Sequence, residues 1–183
     1  MISDNHRRLR EATRAHHERL ETRVDILTQI ADPIRRRALV ERFFGLHAAA
    51  HRALEPWLAE LPGLDFEGRL RARRFASDLA LVGGAPRGAG VIRVDGVGEA
   101  LGLYYVLEGS TLGGRVIRRQ VETAGGSMAG LSFLDPYGEA VGERWRSFLA
   151  ILQSERDIDA MIRGAVAGFG HAEARLCAAP AHG

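Results

Sequence analysis

The chain has 183 residues, 46% of them hydrophobic and 26% charged, with a formal net charge of +2. That length suits a single domain spanning 1–183 with a real core, and the composition excludes a disordered chain. All 25 basic residues are arginine and 23 acidic residues nearly balance them. With no recognition motif present, nucleic-acid binding has no footing. The single Cys177 excludes an internal disulfide and fits a reducing compartment. With no leader, no run of about 18 apolar residues and no lipid-anchor pattern, the expectation is a cytoplasmic protein that does not engage a membrane.

Ser3, which lies outside the residues the structure describes, or Asp4 can cap a first helix running to about Val24, with Leu9, Leu20, Val24 and Leu27 as its apolar stripe. Asp32-Pro33 is a helix start, and the second helix runs until Pro56 kinks or ends it. After an LPGLD turn, an arginine-rich helix spans roughly Phe66–Leu81, and GGAPRGAG is a loop. A glycine-bearing helix covers Leu101–Gln120. A glycine-rich loop with one short apolar run follows, and two helices close the chain at about Glu139–Gln153 and Glu155–Cys177. The pattern predicts an all-α fold of about six helices in one domain.

The glycine-bearing helix stands out. Gly109, Gly113 and Gly114 in its interior together cost roughly 3 kcal/mol against alanine, a large sum for a domain stable by about 5–15 kcal/mol. Gly102, Gly109 and Gly113 fall within roughly 40° of one another, a bare backbone strip for either another helix or a flat ligand. On the first helix, Arg10, Thr13, His17 and Glu21 share one face at spacings of three and four. Glu21 is placed to accept the His17 Nδ1–H, leaving Nε2 free for a metal. The same pattern suits a solvated stripe with an intrahelical His–Glu contact. His16 competes: it lies about 40° from the centre of the apolar stripe, and His17 about 60°. Spacing does not choose between them.

LREATRAHHERLE at residues 9–21 resembles the segment of heme oxygenases that carries the proximal histidine. The family pattern places that ligand four residues after a threonine, which is Thr13 to His17 here, with Arg10 and Glu21 matching the flanking basic and acidic residues. YVLEGSTLGGRV at 105–116 resembles the family's distal helix, with Gly109, Gly113 and Gly114 on its glycines. The YVLEGSTLGG form is similar to the bacterial branch, including enzymes found with bacteriophytochromes. Ser110 stands where mammalian-type members carry aspartate; bacterial members share the serine. Tyr104 matches a family tyrosine near the heme edge, with Tyr105 beside it. The resemblance implies an all-α heme-oxygenase-like fold with heme between the first helix and the glycine-rich helix.

It further implies an enzyme that turns heme, O2 and electrons into biliverdin, carbon monoxide and ferrous iron, with heme both cofactor and substrate. His17 is then the metal ligand. Arg10, Thr13, Glu21, Tyr104, Gly109, Gly113 and Gly114 join it in holding heme, and Gly109, Ser110 and Gly113 also stand where oxygen is activated. Arg10, with Arg118 or Arg119, would meet the propionates. Arg163 and His171 match no motif of the last helix and are left outside the site. No G-x-G-x-x-G opens a βαβ unit, so no flavin or nicotinamide is expected and a separate ferredoxin or reductase must deliver electrons. A bilin-accepting phytochrome is a further implied partner. Arginines 35–37 and the arginines of 69–74 are either a docking surface for an acidic donor or a solvated face.

The rival on the same fold is a non-enzymatic heme carrier or sensor. It would need a second ligand above the iron, and Val106–Ile117 contains no His, Met or Cys. A carboxylate-bridged di-iron protein needs Glu-x-x-His pairs, and no histidine here has a glutamate three residues before it. His47 and His51, spaced by four, lack a third ligand and read as a surface or partly buried pair.

Overall fold

The computed structural model describes residues 4–86, 88 and 90–178, and among them there is no β-strand. Seven α-helices follow in order: α1 (Asp4–Val24), α2 (Ile26–Ala31), α3 (Pro33–Leu58), α4 (Ala72–Val82), α5 (Val97–Thr123), α6 (Val141–Ser154) and α7 (Ile158–Leu176). The all-α expectation holds, with one helix more than the pattern indicated. No helix among the described residues is long and apolar enough to cross a membrane.

The helix boundaries have local causes. Asp25 adopts φ 42, in the left-handed region, and separates α1 from the short α2. Asp32 caps α3 by accepting from the Arg35 N–H at 2.8 Å, with Pro33 at the first helical position as expected. Pro56 sits inside the last turn of α3, which continues to Leu58. The arginine-rich segment is not one helix. A single 3-10 turn at Glu67–Arg69 precedes α4, and the chain breaks at Leu70 and Arg71 because Arg69 and Arg71 turn inward. The loop after α5 carries the apolar run Leu131, Phe133 and Leu134 into the core, pinned by Asp78 accepting from the Ser132 and Phe133 N–H groups at 3.0 and 2.9 Å.

The centre of the molecule is the crossing of α5 with α7. A Cβ at Gly102 would overlap the Met161 carbonyl, and one at Gly164 would overlap the Glu99 carbonyl. The two backbones thus touch where neither carries a side chain, the closest approach two helices can make. α1 packs along the other side of α7. Arg8 faces Asp159 at 3.4 Å, His17 meets the Phe169 ring edge-on, and Arg19 and Arg23 both reach Glu173. α3, α4 and the loop run enclose stacked aromatic rings, with Phe75 4.7 Å from Phe133 and Phe133 5.0 Å from Phe43. This layering leaves one face of α1 and one face of α5 looking toward each other.

Candidate functional site

At about 100° per residue, His6, Arg10, Thr13, His17 and Glu21 form one stripe along α1. Thr13 is buried, and its hydroxyl donates to the Leu9 carbonyl at 2.7 Å. The His17 side chain is 57% exposed, so its imidazole is open to a ligand. Its Nε2 lies 3.4 Å from Glu21 Oε1, the nitrogen opposite to the one expected there. Ligation through Nε2 therefore requires the ring to turn, which places Nδ1–H on the glutamate side. His16 lies beside it: its Nδ1 is 3.0 Å from the Arg19 guanidinium, and its ring, like that of His17, packs against Phe169.

On α5 the matching stripe is Tyr105, Gly109, Leu112, Gly113 and Val116. The two stripes touch at one end. The Tyr105 phenol meets the Thr13 hydroxyl, and the Tyr105 and Trp145 rings both pack against His6, at 6.1 and 5.7 Å. Burial raises the Tyr105 pKa and outweighs the opposing pull of Thr13 and Arg10. Burial and the nearby Arg10 charge lower the His6 pKa. Beyond this contact the stripes are open. A Cβ at Gly109 would meet the Trp145 indole at 3.6 Å, and one at Gly113 would meet nothing within 4 Å. Leu112 and Val116 beside it are 36% and 57% exposed, an uncovered apolar surface.

The five glycines of α5 therefore divide, and Gly98 at its start lies against Ala160 of α7. Gly109 and Gly113 line the open stripe. Gly102 is used against α7, and Gly114 lies against the Leu134 carbonyl, which a Cβ would overlap. Gly114 thus stands apart from the strip to which its motif assigned it. Tyr104 also points the other way. It is buried between Phe66 and Phe148, and its hydroxyl donates to Glu108 at 3.3 Å. Burial, followed by the Glu108 charge, pushes its pKa well above the usual tyrosine value. Tyr105 takes the place in the stripe that the sequence left open between the two.

Behind the glycine strip lies a buried polar network. Glu108 pairs with Arg69, whose guanidinium also donates to the Leu64 carbonyl at 2.6 Å and the Ser147 hydroxyl at 2.7 Å. Tyr137 donates to the same carboxylate at 3.0 Å, and burial raises its pKa to about 12. Arg71 donates to the Leu107 carbonyl at 2.6 Å and lies 3.3 Å from the Ser110 hydroxyl and 3.4 Å from His47 Nε2. Ser110 itself donates to the Leu107 carbonyl at 2.6 Å. Burial, then the Arg71 charge, holds the His47 pKa well below the ordinary histidine value.

The arginines of 69–74, read as a docking surface or a solvated face, divide: Arg73 and Arg74 are exposed and the other two are not. Arg69 and Arg71 are buried, and Arg74 donates to the Pro136 carbonyl at 2.5 Å. In the first cluster Arg36 holds the Ile30 carbonyl and Arg37 holds Glu41, leaving Arg35 exposed. Arg118 is occupied by Glu122 and Asp135, whereas Arg119 is exposed at the edge of the open stripe. Arg163 pairs with Glu99 on the α5–α7 side. His171 is partly buried, its pKa lowered by burial and then by Arg175. Among the described residues no group of three or more His, Cys, Asp or Glu side chains is placed to hold a metal.

Two residues of the site were missed in the sequence. His6 continues the α1 ladder four residues before Arg10, a signal that was there to extend. Trp145 reaches Gly109 from α6 and has no local signature. Beside it, Arg146 is exposed and makes no ion pair among the described residues.

No family model matches the chain. A heme oxygenase of Xanthomonas campestris pv. campestris is 31% identical over 133 residues, which cover 71% of this chain and 79% of that protein. The fold superposes on the crystal structures of the NO- and CO-bound heme oxygenase from Neisseria meningitidis with a TM-score of 0.80 at 20% identity, covering 100% of this chain and 96% of that one. With the two motif helices facing each other across an open apolar strip, the chain belongs to the heme oxygenase family.

Proposed function

We propose that the chain is a heme oxygenase that holds heme, its substrate, between the His17 stripe of α1 and the Gly109–Gly113 strip of α5. The observation that carries this reading is Gly113, where a Cβ would meet nothing within 4 Å, on the same stripe of α5 as the exposed apolar Leu112 and Val116. The residues fit a flat, apolar, iron-bearing dianion. Leu112 and Val116 offer apolar surface, His17 offers an exposed imidazole, and Arg10, Arg119 and Arg146 are exposed cations around the rim.

His17 supplies a neutral nitrogen ligand, which suits oxygen binding better than a thiolate does. Once its ring turns, Glu21 accepts the Nδ1–H and fixes the tautomer. Thr13 and Tyr105 brace the closed end of the cleft and keep α1 and α5 at a set separation there. Gly109 and Gly113 put no side chain into the strip and would leave room there for heme and a small ligand. Ser110 is held by Leu107 and Arg71, so its hydroxyl proton is directed at a backbone carbonyl and its lone pairs toward the guanidinium. Bound heme supplies the iron that activates O2 and the meso carbon that is oxidised, giving biliverdin, carbon monoxide and ferrous iron.

Electrons come from a separate donor of the ferredoxin or reductase class, and Arg10 and Arg146 give the cleft rim the positive charge that attracts an acidic protein. The test is single turnover: one equivalent of heme, then a reductant in air. Loss of the Soret band with growth of biliverdin absorption is the expected result. Heme that binds and survives reduction and oxygen supports the carrier or sensor instead.

A further inference from the structure

We propose that Trp145 fixes the in-plane rotation of heme in the cleft, and so determines which of its meso carbons is opened. The inference rests on the reading of the cleft between α1 and α5 and names a specificity determinant within it. The meso carbons of heme are chemically alike. A flat disc with both carboxylates on one edge can be seated in several rotations about its own normal. A single product therefore needs one rotation to be favoured over the others, by charge or by shape.

The glycine strip supplies no such preference. Gly109 and Gly113 carry no side chain, and Leu112 and Val116 beside them offer apolar surface without direction. The cations leave the choice open as well. Arg10 and Arg146 stand at the closed end of the cleft, whereas Arg119 is ten residues beyond Gly109, about 15 Å further along the helix. Carboxylates find a cation at both ends.

Trp145 breaks this evenness by shape. A Cβ on Gly109 would meet its ring carbons Cη2 and Cζ3 at 3.6 and 3.8 Å, whereas one on Gly113 would meet nothing within 4 Å. The indole is thus a bulky stop at one end of the strip, and the other end is clear. Three rings hold it there: His6 edge-on at 5.7 Å, Tyr105 at 5.7 Å and Phe148 at 6.0 Å between centroids. Phe148 is fully buried, and Tyr105 is itself fixed against Thr13. A ring packed on three others in a dense interior does not swing aside freely. The propionate-bearing edge of heme carries its longest substituents, so its edges present different outlines to this stop.

The test is proton NMR of the full chain with a ferric porphyrin that carries methyl groups in place of both vinyls. That disc is symmetric about the line through its α and γ meso carbons. Turning it over changes nothing, so each set of methyl signals reports one in-plane rotation. The parent should give one set, and Trp145→Leu a second set above about 10% of the total. Single turnover of natural heme should then give one biliverdin isomer from the parent and a mixture from Trp145→Leu. If that variant fails to fold, His6→Ala, which removes one of the rings holding the indole, decides in its place. A lone set of signals in the variant, identical to the parent's, overturns the proposal, as do two sets in the parent. A parent that binds heme without degrading it loses the enzyme reading alone, because the signal sets still decide the role of Trp145. A parent that binds no heme overturns both.

Discussion

Glu108 and Arg69 meet as a buried ion pair one residue ahead of Gly109, their side chains 2% and 1% exposed. Through it, the middle of α5 is tied to the turn before α4 and to α6, where Arg69 also bonds Ser147 and the Arg144 carbonyl. Removing one partner leaves the other charge buried and unpaired. Glu108→Gln or Arg69→Met should therefore destabilise the fold by about 3–5 kcal/mol in urea unfolding. The double replacement Arg69→Met with Glu108→Leu should recover much of that loss. A single variant as stable as the parent would show that the pair does not hold α5.

The glycines should separate in a stability assay. Gly102→Ala and Gly114→Ala drive a methyl group into backbone carbonyls, so each should lose about 3 kcal/mol, the upper range for overpacking. Gly113→Ala meets open space and should gain about 0.5–1 kcal/mol from helix propensity. Its heme complex should nonetheless change, because the methyl group enters the strip facing the ligand. A destabilised Gly113→Ala would mean that its face is packed.

Stability should fall on the acid side. An unfolded histidine titrates near 6.5, whereas folded His47 is held well below that by burial and by Arg71. The unfolded chain therefore takes the proton first. The contribution of neutral His47 is intact above pH about 6.5 and is lost as pH falls below it, by up to about 1.4 kcal/mol per pH unit. His6 and His171, lowered by burial and by Arg10 and Arg175 respectively, add the same sign. Urea unfolding between pH about 7.5 and about 5 should show the slope, and His47→Gln should flatten part of it. An unchanged slope in that variant would assign the effect elsewhere.

Much of this arrangement was legible in the sequence because helical periodicity is local. The ladder Arg10, Thr13, His17 and Glu21 and the strip Gly109 with Gly113 both follow from spacing, as does the Asp32-Pro33 helix start. What was hidden depends on tertiary partners. Gly102 and Gly113 share a face of α5, yet one touches α7 and the other touches nothing, and only the length of the α7 contact decides that. Tyr104 and Tyr105 are neighbours in sequence, and the side on which Glu108 and Thr13 wait separates them. Arg69 and Arg71 read as surface charge because buried arginine is rare, and the acceptors that hold them come from α3, α5, α6 and two loops. Trp145 reaches Gly109 across about 36 residues of chain, beyond any local pattern.

The most direct test of heme held between His17 and the glycine strip is optical titration of heme into the parent chain, His16→Ala and His17→Ala, each followed by free imidazole. The expected result is one heme per chain with matching Soret bands in the parent and His16→Ala. His17→Ala should lose that spectrum and regain it when imidazole fills the vacant position. A spectrum lost in His16→Ala and retained in His17→Ala would contradict this placement of the iron.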